Sequence, residues 1–271
     1  MEQIARDIAD GARYQLISTG RDAYYRIWRA GETTVLKVYG SASLWRRENR
    51  ALATLEGVAG LPVIIRDGTV DGTAWVEFED AGRWTLASMP ENREVARRAG
   101  EVLKAVHAAD PGELSNLSGG IDQHWVESDF LSTFDRLERY RRRLSVPAEL
   151  LDRARSSPRP SASEPAAAHA RPHPRKFVVS NDGAVTLIDW AWSTLAPPEW
   201  DYSEAVWLTT LGVGIEAAEA MAAGYGRAMS DEAMRAWIVY HAGMLLLNEA
   251  ETRDGPLDDL GYIVEQIEAM V

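Results

Sequence analysis

Three residues of this chain stand where their chemistry could be used: Lys37, Glu48 and Asp189. Asp189 closes the run Val185-Thr186-Leu187-Ile188-Asp189, which reads as the second arm of a hairpin whose first arm is 176–180. The turn between them, Asn181-Asp182-Gly183, is built from residue types that tolerate tight hairpin geometry. A carboxylate fixed at the end of an apolar strand and followed by Trp190 and Trp192 can hold a cation. Surface hairpins also commonly end in Asp, and the pattern alone leaves the two readings level. Lys37 lies inside Val35-Leu36-Lys37-Val38. It faces solvent by strand alternation, or it points into a cleft to meet an anion. Glu48 shares a helical stripe with Leu44 and Leu52. There it could pin the Lys37 ammonium against a phosphate, or pair at the surface with Arg47 or Arg50.

These residues need a scaffold. Residues 1–80 read as a small strand-rich unit with one helix, rich in aromatic and β-branched runs separated by turns. The expected strands are 14–17, 24–28, 33–39, 62–65 and 73–78, with turns at 18–22, 30–32, Asp67-Gly68 and Asp71-Gly72. Ser43 is expected to cap a helix over 44–57. Glu79-Asp80-Ala81-Gly82 suits a hinge. Helical spacing dominates afterwards, at 91–109, 130–144, 200–211, 215–229, 231–250 and 257–270. His107 falls near a helix C-terminus, where packing or capping explains it. Arg139, Arg141, Arg142 and Arg143 are expected to form a solvated face.

Composition narrows the function classes. A chain of 271 residues with 46% hydrophobic content can build a real core in one large domain or two lobes. The absence of Cys excludes disulfides, thiolate zinc sites and a cysteine nucleophile. A formal net charge of -12 argues against a nucleic-acid partner and permits a cationic small molecule. No stretch approaches the roughly 18 uncharged apolar residues of a membrane span. The opening Met1-Glu2-Gln3-Ile4-Ala5-Arg6-Asp7 has no signal-peptide pattern, so a cytoplasmic setting is expected.

One stretch breaks the pattern. Residues 153–176 hold five of the twelve prolines and six Arg or Lys against one acid. They contain no Val, Ile, Leu, Met, Phe, Trp or Tyr. With nothing to bury, the stretch is expected to be a flexible basic loop, and it directly precedes the hairpin.

The order of these pieces resembles the aminoglycoside phosphotransferase family of small-molecule kinases. The resemblance rests on Thr34-Val35-Leu36-Lys37-Val38-Tyr39, Trp45-Arg46-Arg47-Glu48-Asn49, Val102-Leu103-Lys104-Ala105-Val106-His107, Val185-Thr186-Leu187-Ile188-Asp189-Trp190 and Pro198-Glu199-Trp200-Asp201-Tyr202. It covers nearly the whole chain. It implies an α+β, two-lobed protein-kinase-like fold, with an N-terminal nucleotide-binding lobe at 1–80 and a mainly helical lobe at 81–271. The implied activity is ATP-dependent phosphorylation of a small-molecule hydroxyl. In that scheme Lys37 holds the nucleotide phosphates, Glu48 orients Lys37, and the turn with Gly20 lies over the nucleotide. Asp189 binds Mg²⁺, and Asp201 braces the catalytic loop. The 18–22 turn lacks a repeated glycine pattern. The implied acceptor is aminoglycoside-like and binds among the helices after Asp201.

The resemblance fails at the catalytic loop. Where the family reads His-Gly-Asp-Leu-His-Pro-Gly-Asn, this chain reads His169-Ala170-Arg171-Pro172-His173-Pro174-Arg175-Lys176. Arg171 replaces the Asp base and Lys176 the metal-binding Asn. Neither offers a lone pair at neutral pH, and both cations would compete with Mg²⁺. Three accounts follow: an impaired enzyme or inactive pseudokinase that still binds a ligand, a locally shifted and restored reading frame, or a substitute base such as Glu164 or Asp182. Arg171 is expected to approach and pair with Asp189. A protein-binding module using 153–176 is the alternative of a different class.

Overall fold

The computed structural model describes residues 1–89, 92–112, 114, 120–226, 229–254 and 257–271. The fold is α+β and two-lobed: an antiparallel sheet dominates the N-terminal part, and helices the rest.

The first lobe runs α1 (Glu2–Ala9), β1 (Arg13–Thr19), β2 (Ala23–Arg29), β3 (Glu32–Val38), α2 (Ala42–Thr54), β4 (Ile64–Val70) and β5 (Thr73–Glu79). The strands form one sheet in the order β1-β2-β3-β5-β4. Both faces of this sheet are covered, which decides the direction of Lys37. Leu36 and Val38 pack with Ile27 and Trp75 against Ile4 and Ala5 of α1. Tyr39, Val76 and Phe78 pack on the α2 side. Alternation therefore sends Lys37 toward α2 rather than solvent, and it is fully buried.

Three local expectations are corrected in this lobe. Helix α1 was not foreseen, although Ile4, Ala5, Ile8 and Ala9 repeat at helical spacing. Helix α2 begins after Ser41 rather than Ser43, and the two hydroxyls hydrogen-bond each other at 2.8 Å. Asp67 and Gly68 lie inside β4, paired with Val76 and Trp75. The Trp75 ring comes within 3.0 Å of where a Gly68 Cβ would stand, so glycine serves close packing there rather than a turn. Asp71 and Gly72 make the actual turn, both at positive φ.

The second lobe runs β6 (Trp84–Thr85), α3 (Arg93–Ala108), α4 (Gln123–Tyr140), α5 (Ala148–Ser156), β7 (Ala166–Ala168), β8 (Phe177–Val179), β9 (Val185–Leu187), β10 (Thr194–Ala196), α6 (Pro198–Gly212), α7 (Ile215–Tyr225), α8 (Asp231–Thr252) and α9 (Gly261–Met270). Asn92 caps α3 by accepting from the Val95 N–H, and the expected start at Glu91 lies outside the described residues. Helix α7 stops at Tyr225 with left-handed Gly226, short of the expected 229. Residues 227 and 228 are outside the described set. Helix α4 begins earlier than expected because Asp122 caps the Trp125 N–H. Arg143 is not solvated as expected: it donates to the backbone carbonyls of Ala250 and Arg253. No helix of the described residues is long and apolar enough to cross a membrane.

The 79–83 segment joins β5 to β6 and is pinned to the first sheet. Arg26 of β2 forms an ion pair with Asp80 at 2.9 Å and donates to the Gly82 carbonyl at 2.7 Å. Gly82 sits at φ +140 against the Val179 carbonyl, where any Cβ would collide. Beyond it, β6, β8 and β9 form a three-stranded sheet, and β7 pairs with β10.

The 153–176 stretch is not the structureless loop its composition suggests. It holds the end of α5, strand β7 and a short 3-10 turn at Pro174–Lys176. Lacking an apolar payload, it is held by polar groups of neighbouring helices. Gln123 Oε1 accepts from the Ala162 N–H at 2.6 Å, and Glu199 Oε2 from the Ser163 hydroxyl at 2.8 Å. Trp237 Nε1 donates to the Ser161 carbonyl at 3.2 Å. A segment whose backbone is satisfied this way orders without a core of its own.

Candidate active site

A cleft of about 340 Å³ opens between the first sheet and the β8–β9 hairpin, with Val35, Lys37, Phe78, Lys176 and Asp189 among its lining. The structure brings Lys37, Glu48 and Asp189 together, as their spacing could not show. Lys37 Nζ donates to Glu48 Oε2 at 2.6 Å and to Asp189 Oδ1 at 2.8 Å. Glu48 acts on both sides of this cluster. Its Oε2 also accepts from the Tyr39 hydroxyl at 2.8 Å, and its Oε1 accepts from the Trp190 N–H at 3.1 Å, next in chain to Asp189. One glutamate on α2 thereby fixes the β3 lysine and the backbone that presents Asp189.

Burial alone would push the Lys37 ammonium down, but the charge of Glu48, with Tyr24 and Asp189 behind it, holds it above its ordinary range. Asp189 shows the mirror case. Burial would raise its carboxyl, but Lys37 and Lys176 keep it well below the usual carboxylate range. Both groups are charged at neutral pH.

The loop before the hairpin keeps its architecture although its residue types have changed. Asp201, on the first turn of α6, accepts from the backbone N–H of His169 at 2.6 Å and of Ala170 at 2.8 Å. His107 Nε2 lies 3.4 Å from Asp201 Oδ2, and its Nδ1 is 2.9 Å from the Tyr225 hydroxyl. His169 is fully buried. Its Nδ1 accepts from the Arg171 N–H at 3.3 Å, so its Nε2–H donates to the Ile188 carbonyl at 2.9 Å. Burial, then the Lys176 charge, lowers its pKa to about 4, so it is a neutral structural imidazole. Ala170 occupies φ +66. That left-handed conformation is one glycine adopts freely and alanine does not.

The two changed positions behave differently from each other. Contrary to the sequence expectation, Arg171 does not pair with Asp189. Its guanidinium lies over the Trp192 ring at 5.1 Å, and no ion pair joins it to Asp189 among the described residues. Lys176 is the residue that reaches Asp189, with Nζ 3.0 Å from Oδ2. Its place follows from the backbone: the Lys176 N–H donates to the His173 carbonyl at 2.8 Å, and the Lys176 carbonyl accepts from the Ile188 N–H at 2.9 Å. Position 176 is thus locked directly across from the strand that ends in Asp189.

Mg²⁺ requires several oxygen ligands in near-octahedral geometry. The donor set does not fit it. Both oxygens of Asp189 are engaged by ammonium groups, and Lys176 supplies a cation where a ligand is needed. No group of three metal-ligating side chains occurs among the described residues.

Gly20 is exposed in the β1–β2 turn with open space where a Cβ would be, and Ile17 and Ser18, not Gly20, line the cleft. Asp182 has its structural role at the hairpin tip, bonded to the Ser180 hydroxyl and the Ala184 N–H. Glu164 is exposed in the bend before β7.

Three further residues belong to the site. Asp22 is buried, accepts from the Gly40 N–H at 3.1 Å and lies 3.7 Å from Lys37 Nζ. The Tyr24 hydroxyl is 3.4 Å from Asp189 Oδ1. Glu204 Oε2 is buried without a hydrogen-bond partner among the described residues. Burial, then Asp201, pushes its carboxyl up to about 8 against the opposing charges of Arg171 and Lys176. An acid one helical turn after Asp201 was the only available hint.

The fold recurs in known kinases of small molecules. A thermostable mutant of aminoglycoside phosphotransferase APH(4)-Ia in its apo form superposes with a TM-score of 0.74 at 16% identity, covering 100% of this chain and 98% of that one. The same protein in ternary complex with ADP and hygromycin B gives 0.72 at 16% identity, covering 100% and 97%. Spectinomycin phosphotransferase APH(9)-Ia, in complex with ADP and spectinomycin, gives 0.63 at 14% identity, covering 99% and 98%. Among curated protein sequences none matches this chain. The model of the phosphotransferase enzyme family (APH) matches residues 13–238, and with the kinase-like fold now in view, the chain belongs to that family.

Proposed function

We propose that this protein binds a nucleoside triphosphate, ATP in the first instance, in the cleft between its lobes. It transfers the terminal phosphoryl group to a small-molecule hydroxyl far more slowly than an intact family member. The lobes divide near residue 80, with the nucleotide on the N-terminal side and the acceptor against the helices after Asp201. The reaction belongs in the cytoplasm, where the nucleotide is supplied. The observation that carries the binding half is the Lys37–Glu48–Asp189 cluster at the cleft wall. A charged ammonium held there can meet phosphate oxygens, and Val35 and Phe78 offer an apolar wall to a base. Structural relatives crystallised with ADP and hygromycin B or spectinomycin support the same reading.

The impaired half rests on position 171. An acceptor hydroxyl must lose its proton as the new phosphorus–oxygen bond forms. Arg171 cannot take that proton, and its side chain is drawn to Trp192. Lysine at 176 adds a second defect at Asp189. Losing a general base costs on the order of 10² to 10⁴ in rate. A protein-binding role for 153–176 gains no support, because Arg155 is paired with Asp135 and Asp152, and Arg159 is turned onto Phe130.

The test is to incubate the full chain with radiolabelled ATP and hygromycin B, spectinomycin and kanamycin, with an intact family enzyme run alongside. Nucleotide binding with transfer slowed on the order of 10²-fold or more is expected. Transfer at the rate of the intact enzyme would refute the impaired reading, and failure to bind any nucleotide would refute the site.

A further inference from the structure

We infer that Lys176 is a built-in cation that takes the place of the divalent metal, so that the cleft holds nucleotide phosphates between two ammonium groups, Lys37 and Lys176, without Mg²⁺. This rests on the reading of the cleft as a nucleotide site and goes beyond it by assigning the metal requirement.

The argument starts from charge. A carboxylate facing a polyphosphate repels it unless a cation stands between them. Asp189 is that carboxylate, and both of its oxygens already meet a cation: Lys37 at 2.8 Å and Lys176 at 3.0 Å. Both lysines line the cleft, and Arg175 lines it beside them. An ammonium has three N–H donors. Lys176 uses one on Asp189, so two remain for phosphate oxygens. Lys37 uses two, on Glu48 and Asp189, and has Asp22 Oδ2 3.7 Å away, so it offers a phosphate chiefly its charge while Lys176 offers the donors. Asp22, Glu48 and Asp189 are thus already balanced by Lys37, Lys176 and Arg175, with donors left on Lys176, where a metal would otherwise be needed to neutralise the carboxylates.

The same geometry opposes a divalent ion. Mg²⁺ at Asp189 would have to sit against the two ammonium groups already on it, and the Lys176 charge would stay close by, because residue 176 is fixed through His173 and Ile188. A metallated nucleotide also carries less negative charge than the free form, so it gains less from two ammonium groups. Free nucleotide is therefore the preferred ligand, the reverse of a kinase in which the metal joins carboxylate to phosphate.

The experiment is calorimetric titration of the full chain with ADP and with AMP-PNP, in EDTA and in excess Mg²⁺. Binding is expected in EDTA, with affinity weakened by up to about tenfold on adding Mg²⁺. Lys176→Asn should lose roughly tenfold in EDTA and gain binding on adding Mg²⁺, whereas Lys176→Arg should keep the metal-free binding. The wild-type comparison needs no variant, so a poorly folding mutant does not obscure the result. Binding by the wild type only in Mg²⁺ would overturn the built-in cation and leave the nucleotide site standing. Absence of binding in both conditions would overturn the site and this inference with it. Equal metal-free affinity in Lys176→Asn and wild type would show that the ammonium contributes nothing.

Discussion

The His169 backbone N–H donates to Asp201 Oδ2 at 2.6 Å, across 32 positions of chain and from a segment with almost no apolar residue to bury. Together with the Ala170 N–H on the other oxygen and His107 Nε2 at 3.4 Å, it makes Asp201 the point on which the loop's backbone hangs. Burial would raise this carboxyl, but the His107 hydrogen bond and its neighbours hold it below its ordinary value, so it remains an anion. Removing it leaves the buried His169 N–H and the half-buried Ala170 N–H unpaired. Asp201→Ala is expected to destabilise the fold by about 3 kcal/mol, read as a shift in the urea midpoint. A change below about 0.5 kcal/mol would show that the loop is held by other contacts.

That relationship also shows what the sequence could and could not disclose. Lys37, Glu48 and Asp189 were legible because each is a charge among apolar neighbours, and a charge in an apolar run must be either solvated or paired. Which of these holds is set by α1 covering one face of the sheet, and nothing in the strand's own pattern reports that helix. The order of residues 153–176 was not legible at all. Composition reports what a segment can bury, whereas residues 160–163 are ordered by Gln123, Glu199 and Trp237, far away in the chain. The pairing of Lys176 rather than Arg171 with Asp189 was likewise hidden. It depends on strand register, with Ile188 opposite residue 176, and on the Trp192 ring that receives the guanidinium.

Ala170 holds φ +66 in a loop fixed on both sides by Asp201 and His169. An alanine in the left-handed region costs about 1 kcal/mol relative to a relaxed backbone, and glycine does not incur this strain. Ala170→Gly also widens the unfolded ensemble, which offsets part of the gain. The net expectation is a stabilisation of roughly 0.5 kcal/mol, seen as a small rise in Tm. A clear fall would mean that the alanine methyl packs usefully enough to outweigh its strain.

Glu204 gives a pH dependence with a definite sign. Its carboxyl titrates near 8 in the folded protein against an ordinary 4.5. Between these values the native state keeps a proton that the unfolded state has lost. Its contribution to stability is therefore intact below the lower value, declines as pH rises and is gone above the upper one. Glu204→Gln removes this dependence. The variant's stability advantage over wild type should grow between about pH 4.5 and 8 by an amount on the order of a few kcal/mol. His169, with its pKa lowered to about 4, and His241, lowered to about 3, act in the opposite direction, losing stability as pH falls below the ordinary histidine value. They are common to both proteins and cancel in the difference. A flat difference across this range would show that Glu204 is ionised in the native state.

The last prediction concerns restoring transfer. The backbone around 171 and 176 is held by Asp201, by the His169 Nδ1 and by the hairpin, none of which depends on the side chains at those two positions. Replacing them should therefore change chemistry without displacing the loop. Arg171→Asp supplies a carboxylate able to take the acceptor proton, and Lys176→Asn frees Asp189 Oδ2 and adds an oxygen ligand beside it. Arg171→Asp alone should raise transfer only slightly, because Lys176 still occupies Asp189. Lys176→Asn alone should confer metal-dependent nucleotide binding with little transfer, because no base is present. The pair together should raise turnover by on the order of 10² to 10⁴, measured in Mg²⁺ with whichever acceptor shows a trace of activity. Equal turnover in the double variant and the wild type, with metal-dependent binding intact, would place the defect outside these two side chains, in the path or orientation of the acceptor itself.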